Sequence, residues 1–327
     1  MRFAVAVLTV LFGIGYAQAM DCSKARSPIE KAICADPAAN AADDAMSASF
    51  SGLKKSQTVE QWNVLLAKQR LWLKGREYRC YEKKGAALSA CLKADTEAWT
   101  ATLEGRPEAG TYDATAFAPL IAGKIAKRNG EYDISIMVMK FRTPQTVAER
   151  AFNAAVDAQI KDAPMNEPRE ADMPRKLAYD ASMRVSFASP ALISAATEVY
   201  QDGGGAHPNT NTFHINIDGR SGKEVTLADV FTADGRKTAL KLCATQISAQ
   251  RKEKGADQVA ESGKNDSANS SLADAFGAIA NWSFGRDKTS VYFNPYELGS
   301  YAEGAYGCDF QNTELRPLIK PGFPLPN

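Results

Sequence analysis

The rhythm of apolar and polar positions changes near residue 105. Before that point helix signals dominate. Ser27-Pro28-Ile29-Glu30 opens one helix: Ser caps, Pro suits the first helical position, and Glu30 completes a capping box. Asp36-Pro37 repeats the device for a second helix over about 38–53. A third is predicted over about 59–83, stopped by Gly85, and a fourth over about 88–103. On the third, Gln69, Trp72, Arg76 and Cys80 follow at spacings of three and four, so they share one face. Residues 20–105 therefore read as a small helical domain.

Gly105-Arg106-Pro107-Glu108-Ala109-Gly110 has the composition of a linker, and residues 106–111 are assigned to it. From residue 112 to 327 the pattern is mixed. Tyr132 to Phe141 alternates and predicts a strand. Further strands are expected at 183–188, 192–200, 212–217 and 290–293, with helices at about 146–161, 227–231 and 237–252. Asn216 to Lys223 carries turn chemistry, and the polar run 252–271 reads as a loop.

The first 19 residues are of another kind. Arg2 precedes an apolar stretch from Phe3 to Tyr16, and Ala17-Gln18-Ala19 offers a small-x-small site. This predicts a signal peptide cleaved after Ala19 and a periplasmic or secreted chain. The run is shorter than the roughly 20 apolar residues of a membrane span. A lipoprotein is the rival because Cys22 follows closely, but Asp21 stands where a lipobox needs Gly or Ala. No other run is long enough to cross a bilayer. Lys and Arg number 39 against 38 Asp and Glu, so losing Arg2 leaves a formally neutral chain. Neutrality argues against nucleic acid as a partner.

Export gives the six cysteines a meaning. An even number in an oxidising compartment points to disulfides, each contributing about 2–4 kcal/mol. An antiparallel hairpin of the second and third helices would bring Cys80 near Cys34 and leave Cys22 for Cys91. Cys243 and Cys308 then pair in the larger domain. No C-x-x-C spacing or adjacent His accompanies them, so no metal site is expected.

Catalytic signatures are missing. The chain has no G-x-S-x-G, no H-E-x-x-H, no phosphate-binding glycine loop and no paired-cysteine redox motif. No cofactor is implied, and binding is expected rather than chemistry. Of the two histidines, His214 shares a predicted strand face with Thr212 and Asn216 and reads as structural. His207 ends the run Tyr200-Gln201-Asp202-Gly203-Gly204-Gly205-Ala206, whose glycines permit close backbone approach. That loop either presents Asp202 and His207 to a partner or is a tight strand connection capped by His207. Tyr292, Tyr296, Tyr301 and Tyr306, with Glu297 and Glu303, suit a recognition surface or packing on the sheet. The candidate partner-binding set is Tyr200, Asp202, His207, Tyr296, Glu297 and Tyr301.

On Cys22, Glu30, Cys34, Asp43, Gln69, Trp72, Arg76, Cys80, Cys91 and Leu92, residues 22–103 resemble the LprI-type lysozyme-inhibitor domain of bacterial envelopes. Met46 and Phe50 stand where that family usually has Leu and Tyr. Residues 112–320 resemble the extracellular domain shared by the anti-sigma factor RsiV and the non-catalytic part of the deacetylase PdaC. The carrying stretches are Tyr200 to His207, Asn216 to Gly222, Leu227 to Phe231, and Asn294 to Leu298 with Tyr301 and Gly304. Neither the deacetylase catalytic domain nor RsiV's anchor and sigma-binding segment has a counterpart. The resemblances imply an α + (α+β) chain: a disulfide-stapled helical domain, then an α/β domain with a mainly antiparallel sheet. They also imply an inhibitor or sequestering factor for lysozyme or an endogenous lytic glycosidase, a projecting loop entering the enzyme's glycan cleft. A peptidoglycan- or glycan-binding envelope module without inhibitory activity is the alternative.

Overall fold

The computed structural model of the chain describes residues 20–112, 116–125, 132–161, 163, 177–256 and 272–326. The expected signal peptide and most of the 252–271 loop lie outside them. No described helix is long and apolar enough to cross a membrane.

The chain forms two compact units. One holds the described residues through Ser56 together with Gly75–Thr100, and the other holds Gln57–Lys74 and Ala101–Asn327. The division does not fall at the 106–111 linker. That stretch is pinned to the larger unit, with Glu108 N–H donating to Val185 O at 2.8 Å and Thr111 N–H to Ala188 O at 2.9 Å.

The helices begin where their caps predict. Helix α1 (Pro28–Ala35) has a capping box in which Ser27 Oγ accepts from Glu30 N–H and Glu30 accepts from Ser27 N–H. Helix α2 (Pro37–Leu53) starts with Asp36 accepting from the amides of Ala38 and Ala39. Helices α3 (Val59–Arg79) and α4 (Gly85–Glu104) follow, the second starting at Gly85 with φ +54°. In the smaller unit Arg76 of α3 meets Asp43 of α2 in a buried ion pair of 3.2 Å.

The disulfide framework corrects the expected pairing. The bonds are Cys22–Cys34 and Cys80–Cys91, not Cys22–Cys91 and Cys34–Cys80. Cys34 lies in the last turn of α1 rather than at the head of α2, and a 3-10 turn at Cys22–Lys24 brings Cys22 back to it. Cys80 follows α3 and Cys91 sits early in α4, so the α3–α4 turn closes the second bridge. Cys80 does pack beside Ile33 of α1 and Leu92 of α4. The bonds nonetheless close the short loops of 12 and 11 residues, the least costly to order.

The larger unit carries a five-stranded sheet in the order β1-β2-β3-β4-β5, formed by β1 (Phe117–Ile125), β2 (Tyr132–Phe141), β3 (Leu177–Ala188), β4 (Leu192–Asp202) and β5 (Asn209–Asp218). All pairs are antiparallel except β2–β3, which is parallel. Helix α5 (Val147–Ile160) bridges that parallel pair; its Phe152 packs edge-on against Phe117 and Phe141. Two helices follow, α6 (Leu227–Val230) and α7 (Ala233–Glu253), then α8 (Leu272–Gly277). A second sheet, β6 (Trp282–Phe284), β7 (Lys288–Phe293) and β8 (Tyr306–Gln311), is antiparallel, and α9 (Asn312–Leu315) comes after it. Its core centres on Trp282, ringed by Phe231, Phe276 and Phe310, with the indole N–H donating to Phe276 O at 2.8 Å. The expected Cys243–Cys308 bond ties α7 to β8 within this core.

The first part of α3 belongs with the sheet, and one residue explains why. Lys68, 3 % exposed, donates to Asp180 Oδ1 at 2.7 Å, Ala181 O at 2.8 Å and Ser182 Oγ at 2.8 Å. Three partners satisfy all three ammonium hydrogens. Asp180 also accepts from Ser135 Oγ, so a charge on a helix is netted to β2 and β3.

Candidate functional site

The β4–β5 connection is built by its own side chains. Asp202 Oδ1 accepts from Gly204 N–H at 2.9 Å, and Gly204 takes φ +80°, a conformation that favours glycine. The turn delivers His207 to the surface. Its ring stacks on Tyr301 with centroids 3.7 Å apart and planes 14° apart. Nδ1 lies 3.2 Å from Pro208 O, and Tyr301 O–H donates to the same carbonyl at 2.6 Å. A carbonyl only accepts, so Nδ1 carries the hydrogen, and Nε2 accepts from Tyr296 O–H at 3.1 Å.

Tyr296 is held in an unusual way. The Glu297 amide donates to Asn294 O at 3.1 Å, closing a turn with Pro295 and Tyr296 at its centre. Tyr296 has φ +73°, the single non-glycine residue at positive φ among the described residues. A turn of this kind prefers Gly or Asn there, and Tyr costs about 1 kcal/mol or more. Glu297 holds the turn from beneath, accepting from Asn294 N–H at 3.0 Å and Asn281 Nδ2–H at 3.1 Å. Burial raises its pKa above the usual carboxylate range.

The structure thus brings His207, Tyr296 and Tyr301 into one surface cluster, with Tyr301 half-buried. Tyr200 lies behind it, its hydroxyl pKa raised by burial, then by Asp202 and Tyr301. Asp202 and Glu297 are occupied in shaping the two turns. The other tyrosines lie elsewhere. Tyr306 is buried under Lys254, whose Nζ is 3.9 Å from the ring centroid, and its hydroxyl donates to Glu303 at 2.7 Å. Tyr292 is half-buried on β7. His214 is buried as a structural residue, with Nδ1 2.8 Å from Ala280 O. No His, Cys, Asp or Glu cluster of metal-holding kind occurs among the described residues.

Residues 22–116 match the family described as "Lysozyme inhibitor LprI". The first region is therefore similar to LprI-type domains. Residues 228–309 match a second family, DUF3298, described as a protein of unknown function. Solved structures similar to the chain include the following two. A DUF3298 family protein from Pseudomonas aeruginosa PAO1 is 16 % identical, with 64 % of this chain and 96 % of that one covered at a TM-score of 0.42. A DUF3298 family member from Bacteroides fragilis NCTC 9343 is 13 % identical, with 62 % and 93 % covered at a TM-score of 0.45. No curated protein matches the chain. In the LprI-type region the residues that carry the family likeness are mostly interior: Asp43, Gln69, Trp72, Arg76, Cys80 and Leu92 are all buried.

Proposed function

We propose that this chain is an extracytoplasmic binding protein, periplasmic or secreted, that inhibits or sequesters a lysozyme-type glycan hydrolase. The match of residues 22–116 to a lysozyme-inhibitor family carries the reading. Three disulfides among the described residues support an oxidising compartment. We further assign the contact to His207, Tyr296 and Tyr301, with Tyr200, Asp202 and Glu297 shaping the surface from behind. The strained Tyr296 supports that assignment, because a backbone outlier kept at a surface turn has a use other than stability.

The test is clearance of a cell-wall suspension by lysozyme in the presence of the intact chain. Wild-type protein should slow clearance and co-elute with the enzyme. His207→Ala and Tyr301→Ala should each weaken inhibition about tenfold, the effect of losing one well-packed contact residue. If wild-type protein neither inhibits nor co-elutes, the reading fails; retention on purified sacculi would then favour the glycan-binding module. If inhibition survives both substitutions unchanged, the surface assignment alone fails.

Tyr296→Asn separates strain from recognition. Asn tolerates positive φ, so relief of strain offsets the lost ring contacts and stability should change by less than about 1 kcal/mol. Inhibition should fall by as much as in Tyr301→Ala. A large loss of thermal stability would show that Tyr296 is a structural residue.

A further inference from the structure

The larger unit also has a concave feature, lined by none of His207, Tyr296 and Tyr301. A cleft of about 500 Å³ opens between the five-stranded and three-stranded sheets, within the range of roughly 300–1,000 Å³ common for small-molecule sites. Its floor is one face of β3, β4 and β5. Register places Ser182, Glu198 and Thr212 in one cross-strand row, and Arg184, Ala196 and His214 in the next. Arg184 and Glu198 are therefore diagonal neighbours on the same face, within reach of one another's long side chains.

They do not pair. Arg184 meets Glu108 at 3.8 Å, with its side chain 62 % exposed. The Glu198 carboxylate makes no direct ion pair or side-chain hydrogen bond among the described residues, though its charge is felt by the buried Lys68. Other polar groups of the lining are already occupied. Gln250 bonds both the N–H and the carbonyl of Gly307, and Asp309 accepts from Ser290 and Lys288. His214 adds an acceptor: its Nδ1 carries the hydrogen donated to Ala280 O, which leaves Nε2 as a lone pair on a ring lining the cleft.

We propose that this cleft binds a small zwitterion of the amino-acid or short-peptide class. The carboxylate sits on Arg184, whose planar fork matches it, and the ammonium sits on Glu198, with His214 Nε2 as an additional acceptor. A cation and an anion on one face that do not pair with each other are complementary to a ligand that carries both charges, which would displace the long 3.8 Å contact of Arg184 with Glu108. A saccharide fits less well, because sugar stacking needs a free aromatic face. The Tyr306 ring is taken by Lys254, and Tyr292 is half-buried. The site is independent of the lysozyme reading, since none of its charged groups belongs to the His207 cluster.

Titration calorimetry of the intact chain with trialanine, N-acetyl-trialanine and trialanine amide tests the proposal. Trialanine should bind saturably, and capping either end should weaken it about tenfold or more, as expected for a lost charge-assisted pair. Arg184→Gln should remove the penalty for capping the carboxylate and retain that for capping the amine. Glu198→Gln should do the reverse. Both positions are exposed, so the variants test recognition rather than folding. Lysozyme inhibition by both variants should equal that of wild type, which separates failure of this site from failure of the proposed function. No saturable binding of trialanine, or equal binding of capped and uncapped peptides, would overturn the assignment.

Discussion

Asp180→Ala should destabilise the larger unit by roughly 3–5 kcal/mol, the usual cost of removing one partner from a buried ion pair. Lys68 has a side chain only 2 % exposed, and Asp180 is its single carboxylate partner at 2.7 Å. Burial lowers the Lys68 pKa, and Asp180 is the main influence holding it up. Without Asp180, folding must either bury an ammonium offset only by the weaker influence of Glu198 or strip its proton. The sign follows from linkage. A lysine whose folded pKa lies below its unfolded value binds fewer protons when folded, so stability rises with pH through that window. The Asp180→Ala deficit should therefore shrink as pH is raised toward 10.5, the unfolded lysine value. Lys68→Met combined with Asp180→Leu should be much milder than Asp180→Ala, because apolar replacement of a whole buried pair is often neutral. Urea midpoints of the three proteins at pH 7 and pH 9.5 measure this. A single variant no worse than the double would show that the pair does not hold α3 to the sheet.

How far the sequence foretells such a feature depends on how local its cause is. Caps are local, and α1, α2 and α5 begin at Ser27, Asp36 and Thr146 because side chains two or three residues away bond the free amides. Strand β1 is absent from the sequence reading; it holds Pro119 and Gly123, and Pro is tolerated there because β1 is an edge strand. Strand β8 alternates inward Tyr306, Cys308 and Phe310, but it was read as part of a tyrosine cluster. Nothing local tells that Lys68 is interior. Its neighbours Arg70 and Lys74 on the same helix are exposed, and the difference is Asp180, more than a hundred residues away. The expected disulfide pairing differs for a related reason: it rests on one assumed hairpin, while the bonds follow the end of α1 and the α3–α4 turn.

The candidate site shows the same gradient. Its glycine run and Asn294-Pro295 turn were legible as loops, and His207, Tyr296 and Tyr301 do meet there. Asp202 and Glu297 look alike in sequence to a carboxylate offered to a partner, but each bonds the amides of its own turn. Among the residues that carry the LprI likeness, the polar Asp43 and Arg76 are buried and meet each other at 3.2 Å, so their polarity does not mark a surface. The cleft was beyond sequence reasoning altogether. Arg184, Glu198 and His214 become neighbours only once the register of three strands is known.

His214 gives the second large effect, an acid-induced loss of about 3 kcal/mol confined to a defined window. Burial lowers its pKa from 6.5 to about 4, with the Arg184 charge adding to the shift and the Ala280 carbonyl opposing it. Above pH 6.5 the imidazole is neutral in both states and the stabilisation is fully present. As pH falls, the unfolded chain takes up a proton that the folded chain refuses, and stability drops by about 1.4 kcal/mol per unit until the folded pKa is reached. Glu297 acts the other way, because its raised pKa makes the folded state bind the proton more readily. The groups with lowered pKa, among them Asp218, Asp309 and Glu303, act only below the ordinary carboxylate range. Between pH 6.5 and about 4.5 His214 therefore sets the slope. His214→Asn keeps a donor for the Ala280 carbonyl and removes the titrating ring. The variant should be flat across that window while wild type loses stability, as read from urea midpoints at half-unit intervals. Parallel slopes for the two proteins would place the acid sensitivity in some other group.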